Sequence, residues 1–176
     1  MTSLILSLSN KVSADEFYRL GHWRDQTIYA IARAHAERIP EGFALRDRAR
    51  RLTWRALVDA ADRFAADLKG RGVVAGQRVA LWMPDRIESV VALLACSRNG
   101  LVCCPSAHRN HTVSDVVTLL ERMRAASLIY QDNFGADGSR HDIESAIADL
   151  GFLRHFCRLT PHVPAGVAPP FQGHLA

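Results

Sequence analysis

Two histidines lie three residues apart in the segment His108-Arg109-Asn110-His111, which follows an apolar stretch. A pair of imidazoles at this spacing could hold a metal ion. No cysteine, aspartate or glutamate within the segment completes a zinc site, and the alternative is a solvated loop that supports a bound ligand. We favour the loop, and we predict no metal site and no catalytic residue here.

The four cysteines are the other candidates for chemistry: Cys96, Cys103, Cys104 and Cys157. The adjacent Cys103 and Cys104 could form a redox pair. A strand directs neighbouring side chains to opposite faces, so we expect packed thiols instead. All four lie in apolar stretches without CxxC spacing or a secretory signal, which predicts reduced thiols in a cytoplasmic protein. No G-x-S-x-G motif supports Ser-His-Asp catalysis.

Three glycines, Gly70, Gly72 and Gly76, could form a loop that binds phosphate. Such a loop follows a strand and begins a helix, so that backbone N–H groups and the helix dipole point at the anion. Here the glycines end a predicted helix and precede a predicted strand. We therefore interpret them as a structural turn, and no cofactor-binding residue is assigned.

The composition indicates one soluble globular domain. The chain has 176 residues, 48% hydrophobic residues and a net charge of +4. The densest basic run, Arg46 to Arg51, falls at an expected turn and lacks interleaved aromatic residues, so nucleic-acid binding is not predicted. The longest unbroken apolar run, Val90 to Cys96, is far shorter than a membrane span, which takes about 20 residues.

The hydrophobic pattern predicts an α/β fold: a parallel sheet with helices on both faces, preceded by a short β-hairpin. The hairpin strands are FALRD and RRLT, and the sheet strands are RVALWMP, LVCCP, SLIYQ and RHFCRL. Helices of about 12 residues separate several of these strands, which is typical of right-handed crossovers.

Helix ends and buried faces follow from the same pattern. We predict a helix from Thr27 to Arg38 with Ile28, Ile31, Ala32 and His35 or Ala36 on one apolar side, and a second one capped by Thr53. Leu57, Ala61, Phe64 and Leu68 share one face of that second helix. Asp85 is predicted to cap a helix over Arg86 to Arg98, which ends at Asn99-Gly100. Thr112 or Ser114 is predicted to begin a helix that runs through Met123. A short helix is expected near Ile143 to Leu150.

The order of these elements resembles a known family. The stretch RLTWRALVDAADRFAADLKGRGVVAGQRVALWMPD, followed by an apolar helix ending at Gly100 and the strand LVCCP, resembles the N-terminal portion of the adenylate-forming superfamily. That family includes acyl-CoA synthetases and aryl acid ligases. The leader FYRLGHWRDQTIYAIARAHAERIPEGFALRD is most similar to members that activate ring carboxylates. The resemblance divides the chain into a leader (1–14), a partial first subdomain (15–160) and an extended tail (161–176).

The resemblance implies that a carboxylate attacks ATP to give an acyl-adenylate, and that coenzyme A then takes the acyl group. In such a family ATP, Mg²⁺ and coenzyme A serve the complete enzyme. That chemistry requires a Gly/Ser/Thr-rich loop with a lysine and a mobile catalytic lysine. This chain has neither, because Lys11 and Lys69 are its only lysines. We therefore interpret it as an N-terminal fragment that binds no cofactor by itself.

The alternative is a non-catalytic binding or regulatory module that keeps the fold. The fragment interpretation implies a partner, either the missing C-terminal part of a synthetase or a second copy of the chain. Apolar helix faces such as Ile87, Val91 and Leu94 must be covered, and if part of that cover is absent the fragment interpretation predicts an exposed apolar patch and an unpaired sheet edge.

Overall fold

The computed structural model describes residues 10–47 and 50–161. The helices are α1 (Lys11–Arg19), α2 (Ile28–Arg38), α3 (Trp54–Gly70), α4 (Ile87–Asn99), α5 (Val113–Met123) and α6 (Ile143–Ile147). The strands are β1 (Phe43–Arg46), β2 (Arg51–Thr53), β3 (Arg78–Trp82), β4 (Val102–Ser106), β5 (Ser127–Gln131) and β6 (His155–Leu159). The predicted tail lies outside the described residues, apart from Pro161.

The predicted α/β class is confirmed. Strands β1 and β2 form an antiparallel hairpin, and the other four strands form a parallel sheet in the order β4-β3-β5-β6. Helices α2, α3 and α4 cover one face of this sheet, with Phe64 and Leu68 fully buried there. Helices α5 and α6 cover the other face, where Trp82 and Leu128 are buried.

Threonine side chains begin three of the helices. Thr27, Thr53 and Thr112 each accept a hydrogen bond from a backbone N–H of the first turn, and Thr112 forms a reciprocal capping box with Asp115. Gly100 ends α4 in the left-handed conformation with φ of 67°. These boundaries follow the predicted ones closely, because caps are set by local sequence.

Two predictions about helices are wrong. Asp85 does not cap α4, since the N-cap residue is Arg86 and no side chain caps that helix end. Helix α2 buries Tyr29 and Ala32, whereas Ile28 and Ile31 are exposed. The Tyr29 hydroxyl donates a hydrogen bond to Asp62 on α3 (2.6 Å), which turns that side of α2 inward.

The apolar helix face that requires cover is buried within the chain. Ile87, Val91 and Leu94 are at most 5% exposed, because α3 packs along α4 on the same side of the sheet. Large exposed apolar side chains lie elsewhere among the described residues. They include Phe17, Tyr18 and Trp23 near α1, and Val102 and Phe156 on the two outer strands of the sheet.

Candidate functional site

The order of the strands places one candidate site. Strand β3 lies between β4 and β5, so the chain leaves β3 toward one side of the sheet and later returns to the other. In open α/β sheets, ligands bind in the crevice beyond the carboxyl ends of the strands at such a reversal. The crevice here lies between the residues after β3 and those after β5.

Arg86 spans this crevice. It follows β3 by a short turn and is 8% exposed. Its guanidinium donates hydrogen bonds to the Gln131 side chain at the end of β5 (2.8 Å) and to the Thr160 carbonyl after β6 (2.9 Å). It also donates to Glu88 in the first turn of α4 (2.6 Å). One side chain thus joins the ends of three parallel strands.

Glu88 carries the network to the hairpin. It is fully buried and receives two hydrogen bonds from Arg50, of 3.1 and 2.8 Å. Arg50 also donates to Asp47 in the same turn. Burial alone would raise the pKa of Glu88, but hydrogen bonds from Arg86 and Arg50 outweigh it and lower that pKa. Likewise, these carboxylates overcome burial and raise the pKa of Arg50.

This cluster of Asp47, Arg50, Arg86 and Glu88 has two positive and two negative charges. The lowered pKa of Glu88 and the raised pKa of Arg50 favour their charged forms, so neither group is poised to exchange a proton. The cluster can hold the hairpin, α4 and the carboxyl end of the sheet together. The sequence analysis did not identify it. The sequence signal for this cluster is the spacing of Arg86 and Glu88, an arginine followed two residues later by an acid, just after a buried strand.

The His108–His111 segment follows β4, beside the same end of the sheet. The two imidazole rings are 5.0 Å apart. Over residues 10–47 and 50–161, no group of three His, Cys, Asp or Glu side chains is placed to hold a metal ion. The His111 Nδ1, Ser106 Oγ and Trp82 Nε1 atoms are buried without a hydrogen-bond partner among those residues. The absence of a metal site remains a prediction.

A loop after β5 closes over Trp82. The Ala136 N–H donates to the His111 carbonyl (2.9 Å), and the indole of Trp82 contacts the ring of Phe134 edge-on. A Cβ on Gly135 would lie 2.4 Å from the Trp82 ring and 2.6 Å from the His111 oxygen. The cavity beside Trp82 is about 30 Å³, which is room for about one water molecule. This end of the sheet is therefore closed by the chain's own side chains.

The structure brings Ser127, His155 and Asp67 together at the opposite end of the sheet. Ser127 Oγ is 3.1 Å from His155 Nδ1, and His155 Nε2 is 3.9 Å from Asp67. Ser127 is fully buried, and the carboxylate lies beyond hydrogen-bond distance. Burial, followed by the positive charge of Arg71, lowers the pKa of His155. The arrangement holds a neutral histidine in the core and presents no accessible nucleophile.

The cysteines pack as predicted for a strand. Cys103 contacts the core on the α4 side, while Cys104 faces the other way. The Cys103 thiol, together with burial, raises the pKa of Cys96. Burial raises the pKa of Cys157 to about 12. Unreactive thiols are expected where the pKa is raised in this way.

The three glycines form a turn in the structure. Gly70 is the last residue of α3, while Gly72 and Gly76 have positive φ and lie before β3. Lys69 is at the end of α3, on the side of the sheet where β3 begins. Lys69 therefore lies at the end of the sheet opposite the crevice. Lys11 pairs with Asp15 on the surface.

A further groove lies away from the sheet. It has a volume of about 790 Å³ and is open to solvent between the end of α1 and α2. Trp23 and Ile31 contribute apolar surface, and His22, Arg24 and Arg38 make it basic. No feature of this groove resembles a catalytic arrangement.

Comparison with known proteins identifies similar chains. A family model described as AMP-binding enzyme matches residues 32–156. A Streptomyces protein named salicylyl-CoA synthase / salicylate adenylyltransferase is 35% identical over 103 residues, which are 57% of this chain and 19% of that protein. The salicyl-AMP ligase / salicyl-S-ArCP synthetase of Mycobacterium tuberculosis is 29% identical over 150 residues, which are 81% of this chain and 26% of that protein.

Among solved structures, the apo structure of MbtA from Mycobacterium smegmatis is similar, with a TM-score of 0.66 and 29% identity. The match covers 85% of this chain and 27% of MbtA. The chain thus spans roughly a fifth to a quarter of the length of these relatives. No helix in the described part of the chain is long and apolar enough to cross a membrane.

Proposed function

The chain belongs to the AMP-binding enzyme family, and on that premise we propose that it is the N-terminal part of a ligase that activates a ring carboxylate. The complete enzyme would convert the acid to an acyl-adenylate with ATP and Mg²⁺, and then transfer the acyl group to a thiol such as coenzyme A. Relatives named for salicylate support the choice of a ring acid. We also propose a cytoplasmic location.

The single observation that carries this proposal is the extent of the match. Most of this chain aligns with a relative named as a salicyl-AMP ligase, yet only about a quarter of that relative is covered. The matched residues build the sheet and its two covering layers, and the buried charged groups of the crevice, Arg86 and Glu88, are held by partners. Scaffold without catalytic groups is what the first part of a larger enzyme would supply.

The crevice at the carboxyl end of the sheet does not fit a nucleotide by itself. The crevice is filled by Arg86 and its partners, and the cavity beside Trp82 is far smaller than a nucleotide. Lys69 lies at the opposite end of the sheet. ATP, Mg²⁺ and coenzyme A therefore belong, in this proposal, to the complete enzyme, and no reaction step is assigned to this chain.

A domain replacement tests the proposal. Residues 10–161 would replace the aligned region of the Streptomyces relative, and salicylate-dependent exchange of pyrophosphate into ATP would be measured. We expect exchange within about tenfold of the intact relative, with salicylate still preferred to acetate, because the catalytic groups come from the remainder. The chain alone should show no exchange above a heat-killed control. A replacement that unfolds cooperatively like the relative but gives no exchange would overturn the proposal.

A non-catalytic binding module is the second candidate, and one observation favours it. The core is closed within the chain, since Ile87, Val91 and Leu94 are covered by its own helices. The two candidates differ in what the chain binds alone. Calorimetric titration with ATP and with salicylate should give no heat of binding under the first proposal, whereas saturable binding of either ligand would favour the module.

A further inference from the structure

The two edges of the parallel sheet offer different groups to another strand. In a parallel sheet, the backbone groups of successive residues point alternately to the two sides of a strand. On β4, the Val102 N–H donates to the Gln77 carbonyl, and the Ser106 carbonyl accepts from the Met83 N–H. Cys103 and Pro105 therefore face outward. Proline has no N–H, so this edge lacks one of its two donors.

The edge formed by β6 is complete. The Leu159 carbonyl accepts from the Asp132 N–H (2.8 Å), in register with the pairing of Leu159 and Gln131. Alternate residues then face β5, which leaves both N–H and C=O of Phe156 and Arg158 pointing outward. No strand in the described part of the chain pairs with β6 on this side. A full set of strand-pairing groups is thus available at one edge only.

The side chains at this edge are also uncovered. Phe156 is 43% exposed, and the Arg158 side chain is 56% exposed and pairs with Asp132. Both side chains lie on the α5 side of the sheet, while His155, Cys157 and Leu159 are buried on the other side. An aromatic ring and a guanidinium two residues apart on one face form a self-complementary pair.

We propose that β6 pairs with β6 of a second copy of this chain, antiparallel and about a two-fold axis at Cys157. In this register, Phe156 faces Arg158 of the second copy, and the two residues exchange a pair of backbone hydrogen bonds. Symmetry repeats that pair on the other side of the axis. Each phenyl ring then lies opposite a guanidinium, which is a favourable cross-strand contact.

Other registers are less favourable. If the register shifts by one residue, residues whose N–H and C=O groups point outward lie opposite residues whose N–H and C=O groups point toward β5. The hydrogen bonds between the two copies are then lost. A shift that keeps the hydrogen bonds places Arg158 opposite either Arg154 or another Arg158. Like charges directly opposite one another destabilise a strand pair. Charge and hydrogen bonding therefore select the same register.

The edge of β4 limits the assembly to two copies. Pairing β6 of one copy with β4 of the next would repeat without closing and would form filaments. Pro105 removes a donor from that pairing. An isologous contact between two β6 edges uses both complete edges and closes the assembly. The inference goes beyond the proposed function and does not depend on it.

Matched substitutions test the register. We expect the full chain to sediment as a dimer at tens of micromolar. Phe156→Lys places lysine opposite Arg158 twice and should weaken the dimer about tenfold or more. Phe156→Glu removes the same apolar surface but places a carboxylate opposite Arg158, so the dimer should remain. Val102→Lys makes the same change at the exposed β4 edge and should have no effect. Sedimentation equilibrium measures all four proteins, with melting temperature as the folding control.

Four results would overturn the proposal. A wild-type chain that stays monomeric up to about a millimolar has no such interface, and dimerisation only after deletion of residues 162–176 would show that this segment occupies the edge instead. Equal weakening by Phe156→Glu and Phe156→Lys would indicate an unregistered apolar contact. Weakening by Val102→Lys would place the interface at β4.

Discussion

Glu88 determines the charge balance beneath the crevice. It is fully buried and lies between the guanidinium groups of Arg86 and Arg50. An exchange to glutamine keeps the shape but removes the negative charge, which leaves two buried cations with Asp47 as their nearest remaining anion. Breaking a buried ion pair in this way typically costs about 3–5 kcal/mol.

We therefore expect Glu88→Gln to lower the free energy of unfolding by about 3 kcal/mol or more. The matched control is Glu41→Gln, because Glu41 pairs with Arg55 at 3.0 Å while both side chains are more than half exposed. That change should cost less than about 1 kcal/mol. Urea denaturation of both variants measures the difference. Equal effects of the two substitutions would contradict the role assigned to the buried cluster.

His155 should make the stability depend on pH. The pKa of His155 in the folded protein lies below the ordinary value of 6.5, mainly because of burial. Between these two values the unfolded chain binds more protons than the folded one, so stability falls as the pH falls below about 6.5. The loss is complete once the pH is below the folded pKa. Above pH 6.5 this contribution is constant.

The slope of stability against pH between 7 and 5 tests this prediction. Replacing His155 with glutamine should reduce that slope, whatever its effect on stability at pH 7. Replacing His141 with glutamine is the surface control, because that side chain is 66% exposed. An unchanged slope in the His155 variant would show that another group titrates in this range.

At the scale of the elements, the loop after β5 packs without spare space. Gly135 has φ of +97°, and a Cβ there would overlap the Trp82 ring and the His111 carbonyl. Gly76 has a similar φ of +83°, but no atom lies within 4 Å of an added Cβ. An alanine at either position is strained by the positive φ. Only an alanine at Gly135 would also overlap neighbouring atoms.

Gly135→Ala should therefore destabilise the protein by at least about 2 kcal/mol more than Gly76→Ala, which should cost about 1 kcal/mol. Thermal unfolding followed by circular dichroism compares the two variants. If both cost the same, the loop moves to accept the methyl group, and Trp82 is less tightly held than the contact distances imply.

The sequence predicted the elements that depend on local signals. Thr53 and Gly100 mark their helix ends because caps act within one turn. Helix α1 was not predicted, because none of its residues is buried and no apolar stripe marks it. The prediction of which side of α2 is buried was wrong. A helical period is equally compatible with burial of the isoleucine side or of the tyrosine side, and only the contact between Tyr29 and Asp62 distinguishes them.

The site depended on contacts that spacing cannot reveal. Arg50 and Glu88 are 38 residues apart, and their pairing follows from how the hairpin folds against α4. The pair His108 and His111 and the adjacent Cys103 and Cys104 could be recognised in the sequence. Among the described residues, neither pair belongs to a group of three side chains that could hold a metal ion. Residues that carry chemistry by type can thus be located in a sequence, whereas a buried network requires the fold.

At the scale of the whole molecule, one closed core coexists with a weakly attached N-terminal helix. Helix α1 has no buried residue, and Phe17, Tyr18 and Trp23 contact one another at the surface. Strand β6, by contrast, places Cys157 and Leu159 in the main core. Burial of apolar area is the main source of stability, so these two ends of the fold contribute unequally.

Deleting residues 1–24 should therefore leave the melting temperature within about 3 °C of the wild type, because none of the described residues among them, 10–24, is buried. Deleting residues 154–176 should abolish cooperative unfolding, since it removes β6 and exposes Ile129 and the α3 face that covers it. Calorimetry of both variants provides the comparison, and binding of a hydrophobic dye should rise only in the second. A large loss of stability on removing α1 would mean that the groove between α1 and α2 is part of the folding unit, and that the aromatic residues there support the core.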